Sequence, residues 1–247
     1  MTGETKSAKG SLEQKLSGLV ERLTKTFGDR LVSIVLYGSA TTEDWNEDTS
    51  DLNVLCVLER ISPGELRLAE PIFRWWREAG NPSPLLLTAE EVQSSTDCFP
   101  MEFHDMKRQR RILYGADLLR DLPIDNKFYR AQVEHELRSK QLRLRQRAAE
   151  ILSEPGRLQR LMIDSVSTFC VLGRHALVLS GHEPHWVKKE VVAALGAAMG
   201  RPLDGLNEIL AVRTAAKRAP GAETIPLLER YLTDVGALVH FVDTLQY

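Results

Sequence analysis

Apolar residues recur at helical spacing at Leu12, Leu16, Leu19, Leu23 and Phe27, and Gly28 follows them as a stop signal. The spacing predicts an amphipathic helix over residues 11–27. The run LVSIVLY, residues 31–37, is short and β-branched and ends in Gly38-Ser39, which predicts a buried strand and a turn. A polar loop leads to a second apolar run, DLNVLCVL, over residues 51–58. Ser62-Pro63-Gly64 opens a helix toward Glu78, which Pro71 is expected to kink or divide. Leu85, Leu86 and Leu87 form a third strand candidate with a short helix from Thr88, and residues 111–114, closed by Gly115, form a fourth. Strands and helices mixed in this way predict an α+β unit, a small mixed sheet with flanking helices.

From residue 126 onward the pattern is helical throughout. Val133, Leu137, Leu144, Ala148 and Ile151 mark one stripe of a helix over residues 126–152. Further helices are expected over 156–179, 185–199, 206–217 and 224–245, separated by Pro155-Gly156, Ser180-Gly181, Gly200-Arg201-Pro202 and Pro220-Gly221. Short connections favour antiparallel neighbours, so this half reads as an all-α helical bundle. The breaker-rich stretch 121–125 places the division between residues 1–122 and 123–247.

Composition changes this picture little until it is divided. The 247 residues are 43% apolar and 27% charged, enough for one large or two small globular domains. No uninterrupted apolar run approaches the length of a membrane span, and the polar start MTGETKSAKGS predicts no secretory leader. Cys56, Cys98 and Cys170 are odd in number and far apart, which fits neither a disulfide framework nor a paired-cysteine zinc site and predicts a reducing cytoplasm. The net charge is −2, yet residues 1–126 hold 15 Lys+Arg against 21 Asp+Glu and residues 127–247 hold 17 against 13. An acidic half followed by a basic one points to two units with different tasks. The near-neutral total argues against nucleic acid as a partner. The histidines show no metal-ligand spacing. Trp75 and Trp76 are read as packing residues, one turned inward and the other toward the bundle.

The stretch richest in chemistry is VLYGSATTEDWNEDTSDLNVLCVL, residues 35–58. Glycine at 38 lets the backbone turn tightly and approach a ligand with no Cβ in the way. Exposed amides of that turn, with the Ser39 hydroxyl, are suited to phosphate oxygens. Asp51 and Asn53 stand two apart at the start of a strand and project to the same side. A strand, Gly-Ser, a loop over residues 40–50 and then acid, apolar residue and a polar third position resemble the signature of the nucleotidyltransferase superfamily, which includes DNA polymerase β and the aminoglycoside nucleotidyltransferases. The helical half is similar to the C-terminal domain of those antibiotic-modifying enzymes. The resemblance implies a nucleotidyltransferase-like fold, an NTP substrate, and Mg²⁺ or Mn²⁺ held by acids at positions 51 and 53. It also implies transfer of a nucleoside monophosphate to a hydroxyl of a small-molecule or protein acceptor.

The sequence departs from that pattern at Asn53, whose amide oxygen binds a hard cation more weakly than a carboxylate. A third acid is absent from the strand that reads Pro84-Leu85-Leu86-Leu87-Thr88; its substitutes are Glu90, Glu91, Glu102 and Asp105, and Glu102 is favoured. The loop acids Glu43, Asp44, Glu47 and Asp48 read first as a solvated acidic loop; their other reading is a field that partly restores the negative charge missing at position 53. Arg138, Lys140, Arg143, Arg145 and Arg147 read first as the solvated side of a helix paired with Glu134, Glu136 and Glu150. Their other reading is a positive wall toward the nucleotide, with Lys140 its nearest member. No aromatic residues interleave with these basic ones, which argues again against nucleic acid. The expected site therefore comprises Gly38, Ser39 and Lys140 for nucleotide and Asp51, Asn53 and Glu102 for metal and catalysis. The alternative is a catalytically degenerate binding or regulatory module that pairs with a partner, which the resemblance to toxin–antitoxin nucleotidyltransferases allows. A homodimer is also allowed.

Overall fold

The computed structural model describes residues 4–41, 51–214 and 223–245, except for the side chains of residues 4–9 and 39. The loop acids Glu43, Asp44, Glu47 and Asp48, and the expected breaker Pro220-Gly221, lie outside the described residues. The chain divides into two compact units, residues 1–126 and 127–247.

In the first unit, helix α1 (Glu4–Phe27) buries the predicted stripe, with Leu12, Leu16, Leu19, Leu23 and Phe27 all nearly inaccessible. Strand β1 (Leu31–Tyr37) pairs antiparallel with β2 (Asn53–Leu58), helix α2 (Pro63–Glu78) follows, and β3 (Leu85–Thr88) lies parallel to β2. After α3 (Ala89–Ser94) and α4 (Pro100–Arg108), β4 (Arg110–Gly115) adds antiparallel to β1. The sheet is mixed, with order β3-β2-β1-β4.

Both faces of the central strands are covered. Ile34, Leu36, Val54, Cys56 and Leu58 pack with residues of α1 and α2, while Val35, Leu55 and Val57 pack with Val92, Phe103 and Met106 of α3 and α4. That double burial is why these strands read as unbroken apolar runs rather than alternating ones. Leu119 and Leu122 belong to the second cluster and Ile124 packs against it. Asn126 Oδ1 lies 2.7 Å from the His104 ring. Residues 123–126 therefore pack with the first unit, and the boundary expected at 122/123 lies a few residues upstream of this division.

Several local expectations are corrected. α2 runs unbroken through Pro71. Pro71 and Arg67 are both exposed, which puts the missing hydrogen bond on the solvent side of the helix. The second strand begins at Asn53 rather than Asp51, and α4 was not anticipated. Trp76 is fully buried, but Trp75 turns to α1: its ring lies 4.4 Å beneath the Arg22 guanidinium, and a Cβ at Gly18 would stand 3.3 Å from it.

One ionic cluster fixes the start of α2. Ser62 caps the helix by accepting from the Gly64 N–H, and its hydroxyl donates to Glu65. Arg30 and Arg60 reach the same carboxylate at 3.0 and 3.4 Å. The Ser62 hydrogen bond, with help from a backbone hydrogen bond and Arg60, holds the Glu65 carboxyl down at about 2 from an ordinary 4.5. A depressed folded-state value contributes stability above the unfolded value and loses it as pH falls through the folded one. Glu65→Gln is therefore expected to destabilise the protein at neutral pH, and the deficit relative to wild type should close between about 4.5 and about 2. Denaturant titrations across that range check it; a deficit that does not change with pH would show that the charge contributes nothing.

The second unit contains α5 (Tyr129–Glu150), α6 (Pro155–Leu179), α7 (Lys188–Met199), α8 (Asp204–Thr214) and α9 (Thr224–Thr244). The α5 stripe buries Val133, Leu137, Leu144 and Ala148, with Gln141 in the gap, while Ile151 falls just past the helix end. α7 begins three residues later than expected. α6 is long and apolar enough to cross a membrane by length and composition, although no uninterrupted apolar run was seen in the sequence. More than half of that stretch is buried within the unit, which marks it as the core helix of a bundle. Asp234 on α9 is buried, accepts from the Leu206 N–H at 3.1 Å and pairs with Arg201 at 3.1 Å, tying the start of α8 to α9.

Candidate functional site

Beyond β1 the chain enters a 3-10 turn, Gly38–Thr41, with Gly38 at φ +78°. That left-handed conformation favours glycine. The turn is pinned to the segment between α4 and β4: the Gly38 N–H donates to the Gln109 carbonyl at 3.2 Å. The Thr41 hydroxyl donates to the Gly38 carbonyl at 2.8 Å and lies 3.4 Å from Gln109 Oε1. Ser39 sits within the turn, and its side chain lies outside the described residues.

The pairing of β1 with β2 sets Tyr37 opposite Asn53. A Cβ at Gly38 would lie 3.3 Å from Asn53 Nδ2, so the amide rests against the bare face of the glycine. Leu52 is buried at 3% while Asp51 is exposed and Asn53 half-buried. The segment is therefore anchored by Leu52, just before β2 begins. The Gly38 turn and Asn53 thus lie together at one end of the two central strands, two residues after the exposed Asp51.

Of the candidate third acids, Glu91 is engaged by a helix cap. Glu91 completes a capping box: its carboxylate accepts from the Thr88 N–H at 2.7 Å, and the Thr88 hydroxyl accepts from the Glu91 N–H at 3.1 Å. Glu90 is in the same first turn of α3. Glu102 is exposed in the first turn of α4. Its charge acts on Tyr37, whose phenol is pushed up chiefly by burial and secondarily by Glu102. Lys140 is in the second unit, on α5, where Glu136 pairs with it at 3.3 Å. Arg138 pairs with Glu134 and Asp243. Gln109 and Thr41, which hold the turn, had no signal in the sequence, because Gln109 is distant in the chain and bonds through its backbone.

Among the described residues, no group of three or more His, Cys, Asp or Glu side chains is placed to share a metal ion. One carboxylate and one amide two positions apart fit a Mg²⁺ whose remaining ligands are phosphate oxygens and water, a cation that arrives with its nucleotide.

A small mixed sheet with flanking helices, a glycine turn facing the start of the second strand, and a following helical domain define the nucleotidyltransferase fold, and this chain has it. Its structure is similar to that of spectinomycin adenyltransferase AAD(9) from Enterococcus faecialis, solved with ATP and spectinomycin, at a TM-score of 0.58 and 15% identity over 92% of this chain and 99% of that one. No family model matches the sequence, and no curated protein matches it.

Proposed function

We propose that the protein transfers a nucleoside monophosphate from an NTP to a hydroxyl of a small-molecule or protein acceptor, with release of pyrophosphate. The observation that carries this reading is the juxtaposition of the Gly38 turn with Asn53 at the end of β1 and β2, two residues after the exposed Asp51. The fold shared with an adenyltransferase that binds ATP and a small acceptor supports it.

In this reading the Gly38–Thr41 turn and the Ser39 hydroxyl hold phosphate oxygens. Asp51 is the charged ligand for a divalent ion, Mg²⁺ or Mn²⁺, and Asn53 a weaker one through its amide oxygen. The bound ion would neutralise charge on the triphosphate and lower the pKa of the acceptor hydroxyl. The acceptor oxygen bonds to the α-phosphorus, the bond from that phosphorus to the bridging oxygen of the β-phosphate breaks, and pyrophosphate leaves. Glu102 takes the acceptor proton, a role supported by its field at Tyr37.

The test is pyrophosphate release from each NTP with Mg²⁺ or Mn²⁺ over a panel of hydroxyl acceptors. A wild type silent throughout would favour the second reading, a nucleotide-binding module without catalysis, which the neutral Asn53 supports. Asn53→Asp separates the two further. It restores the second charge, and metal-dependent NTP binding is expected to tighten by about tenfold, the scale of one charge-assisted ligand. Unchanged binding in that variant would remove position 53 from the metal site.

A further inference from the structure

Between α5 and α6 the helical unit holds a cavity of about 180 Å³, which shares only Lys140 with the residues expected to bind nucleotide. Its α5 wall is Lys140, Arg143, Leu144 and Arg147, residues three and four apart that form one face of the helix. Its α6 wall is Leu161, Asp164, Ser165, Thr168 and Phe169, a stripe of the same spacing. Leu144 and Phe169 are almost wholly buried and form an apolar floor with Leu161.

The polar groups around this floor differ in what already engages them. Asp164 is paired with Arg160 at 3.0 Å and Lys140 with Glu136 at 3.3 Å. The Ser165 hydroxyl donates to the Met162 carbonyl and sits 2.8 Å from the Tyr231 hydroxyl. Arg143 and Arg147 have no carboxylate partner among the described residues, and neither has the Thr168 hydroxyl a hydrogen-bond partner. Two guanidiniums on successive turns of one helix therefore face one cavity with their donors unengaged by protein. Guanidinium forks match the two oxygens of a carboxylate or phosphate. The apolar floor beneath them suits a non-polar body attached to that group.

We infer that this cavity binds a small organic oxyanion, with its phosphate or carboxylate held by Arg143 and Arg147 and its apolar part on Leu144, Leu161 and Phe169. Lys140, at the rim, adds positive field, and a polycationic ligand is repelled here. The inference does not depend on nucleotidyl transfer, since Arg143 and Arg147 have no part in the reaction proposed above.

The test is calorimetric titration of the full chain, without NTP or divalent metal, using inorganic phosphate, benzoate and phenyl phosphate. Phenyl phosphate or benzoate is expected to bind more tightly than inorganic phosphate, and the tighter of the two identifies the headgroup. Arg143→Gln and Arg147→Gln are each expected to weaken binding by about tenfold, and the double variant by about a hundredfold. Arg145→Gln, on the same helix but outside the cavity lining, is expected to leave it unchanged. Both arginines are exposed, so these variants should retain the wild-type circular dichroism spectrum. Absence of binding by all three probes, equal loss in Arg145→Gln, or no loss in the double variant would overturn the assignment. Equal affinity for phosphate and phenyl phosphate would reject its apolar half.

Discussion

Asp51→Ala is expected to lower pyrophosphate release by more than about a hundredfold while leaving the fold intact. Substituting groups that merely orient a metal ligand commonly costs 10–100-fold, and Asp51 is proposed as the ligand itself. It is also the sole carboxylate in the Asp51-Leu52-Asn53 segment, because position 53 is an amide, so its loss leaves no charge there to hold a cation. The side chain is exposed and Leu52 beside it carries the burial, so stability should change by no more than about 0.5 kcal/mol. The loss should appear in the rate of the chemical step and in metal-dependent NTP affinity together. Activity that survives Asp51→Ala would place the chemistry elsewhere in the chain.

Gly205→Ala is expected to be the most damaging single-methyl change in the helical unit. Gly205 lies in the first turn of α8, where a Cβ would stand 2.4 Å from the Tyr231 backbone nitrogen and 2.5 Å from the Arg230 carbonyl carbon. Those atoms are the backbone of α9 and cannot rotate away as a side chain would, so the two helices must separate. Separation also strains the neighbouring bonds from Asp234 to Arg201 and the Leu206 N–H. A loss of about 3 kcal/mol is expected, at the upper end of overpacking costs. Gly156→Ala is the control: its Cβ meets open space in the first turn of α6, and a gain of about 0.5 kcal/mol is expected. Urea unfolding of the two variants against wild type checks both signs. Equal stability of the Gly205 variant would mean that α8 and α9 are less tightly apposed than the structure has them.

Much of the fold was legible because burial left a clear period. The α1 stripe and the runs of β1 and β2 carried their type in the spacing alone, and a short helix was expected from Thr88, which the structure shows to be its cap. α4 was not legible: it is short, its buried Met101, Phe103 and Met106 are interspersed with His104, Asp105 and Lys107, and no long periodic window exists. The glycine turn and the Asp51 and Asn53 positions were readable from spacing. Their contact was not, since it depends on β1 and β2 pairing with Tyr37 opposite Asn53. The choice among third acids was open in the sequence because Glu91 and Glu102 are chemically alike. Their surroundings distinguish them: a helix cap engages Glu91, and the field of Glu102 reaches Tyr37.

The sequence by itself determined the element types apart from α4, the division into an acidic mixed-sheet half and a basic helical half, and the residues able to turn tightly or carry charge at the start of β2. Those follow from local periodicity, backbone preference and composition. Tertiary structure decided which groups meet: Gly38 against Asn53 and Gln109, α8 against the α9 backbone, and Arg143 and Arg147 over an apolar floor, with no carboxylate paired to them among the described residues. Such meetings depend on strand register and helix apposition, which bring together residues far apart in the chain, and no local pattern encodes the distance between them.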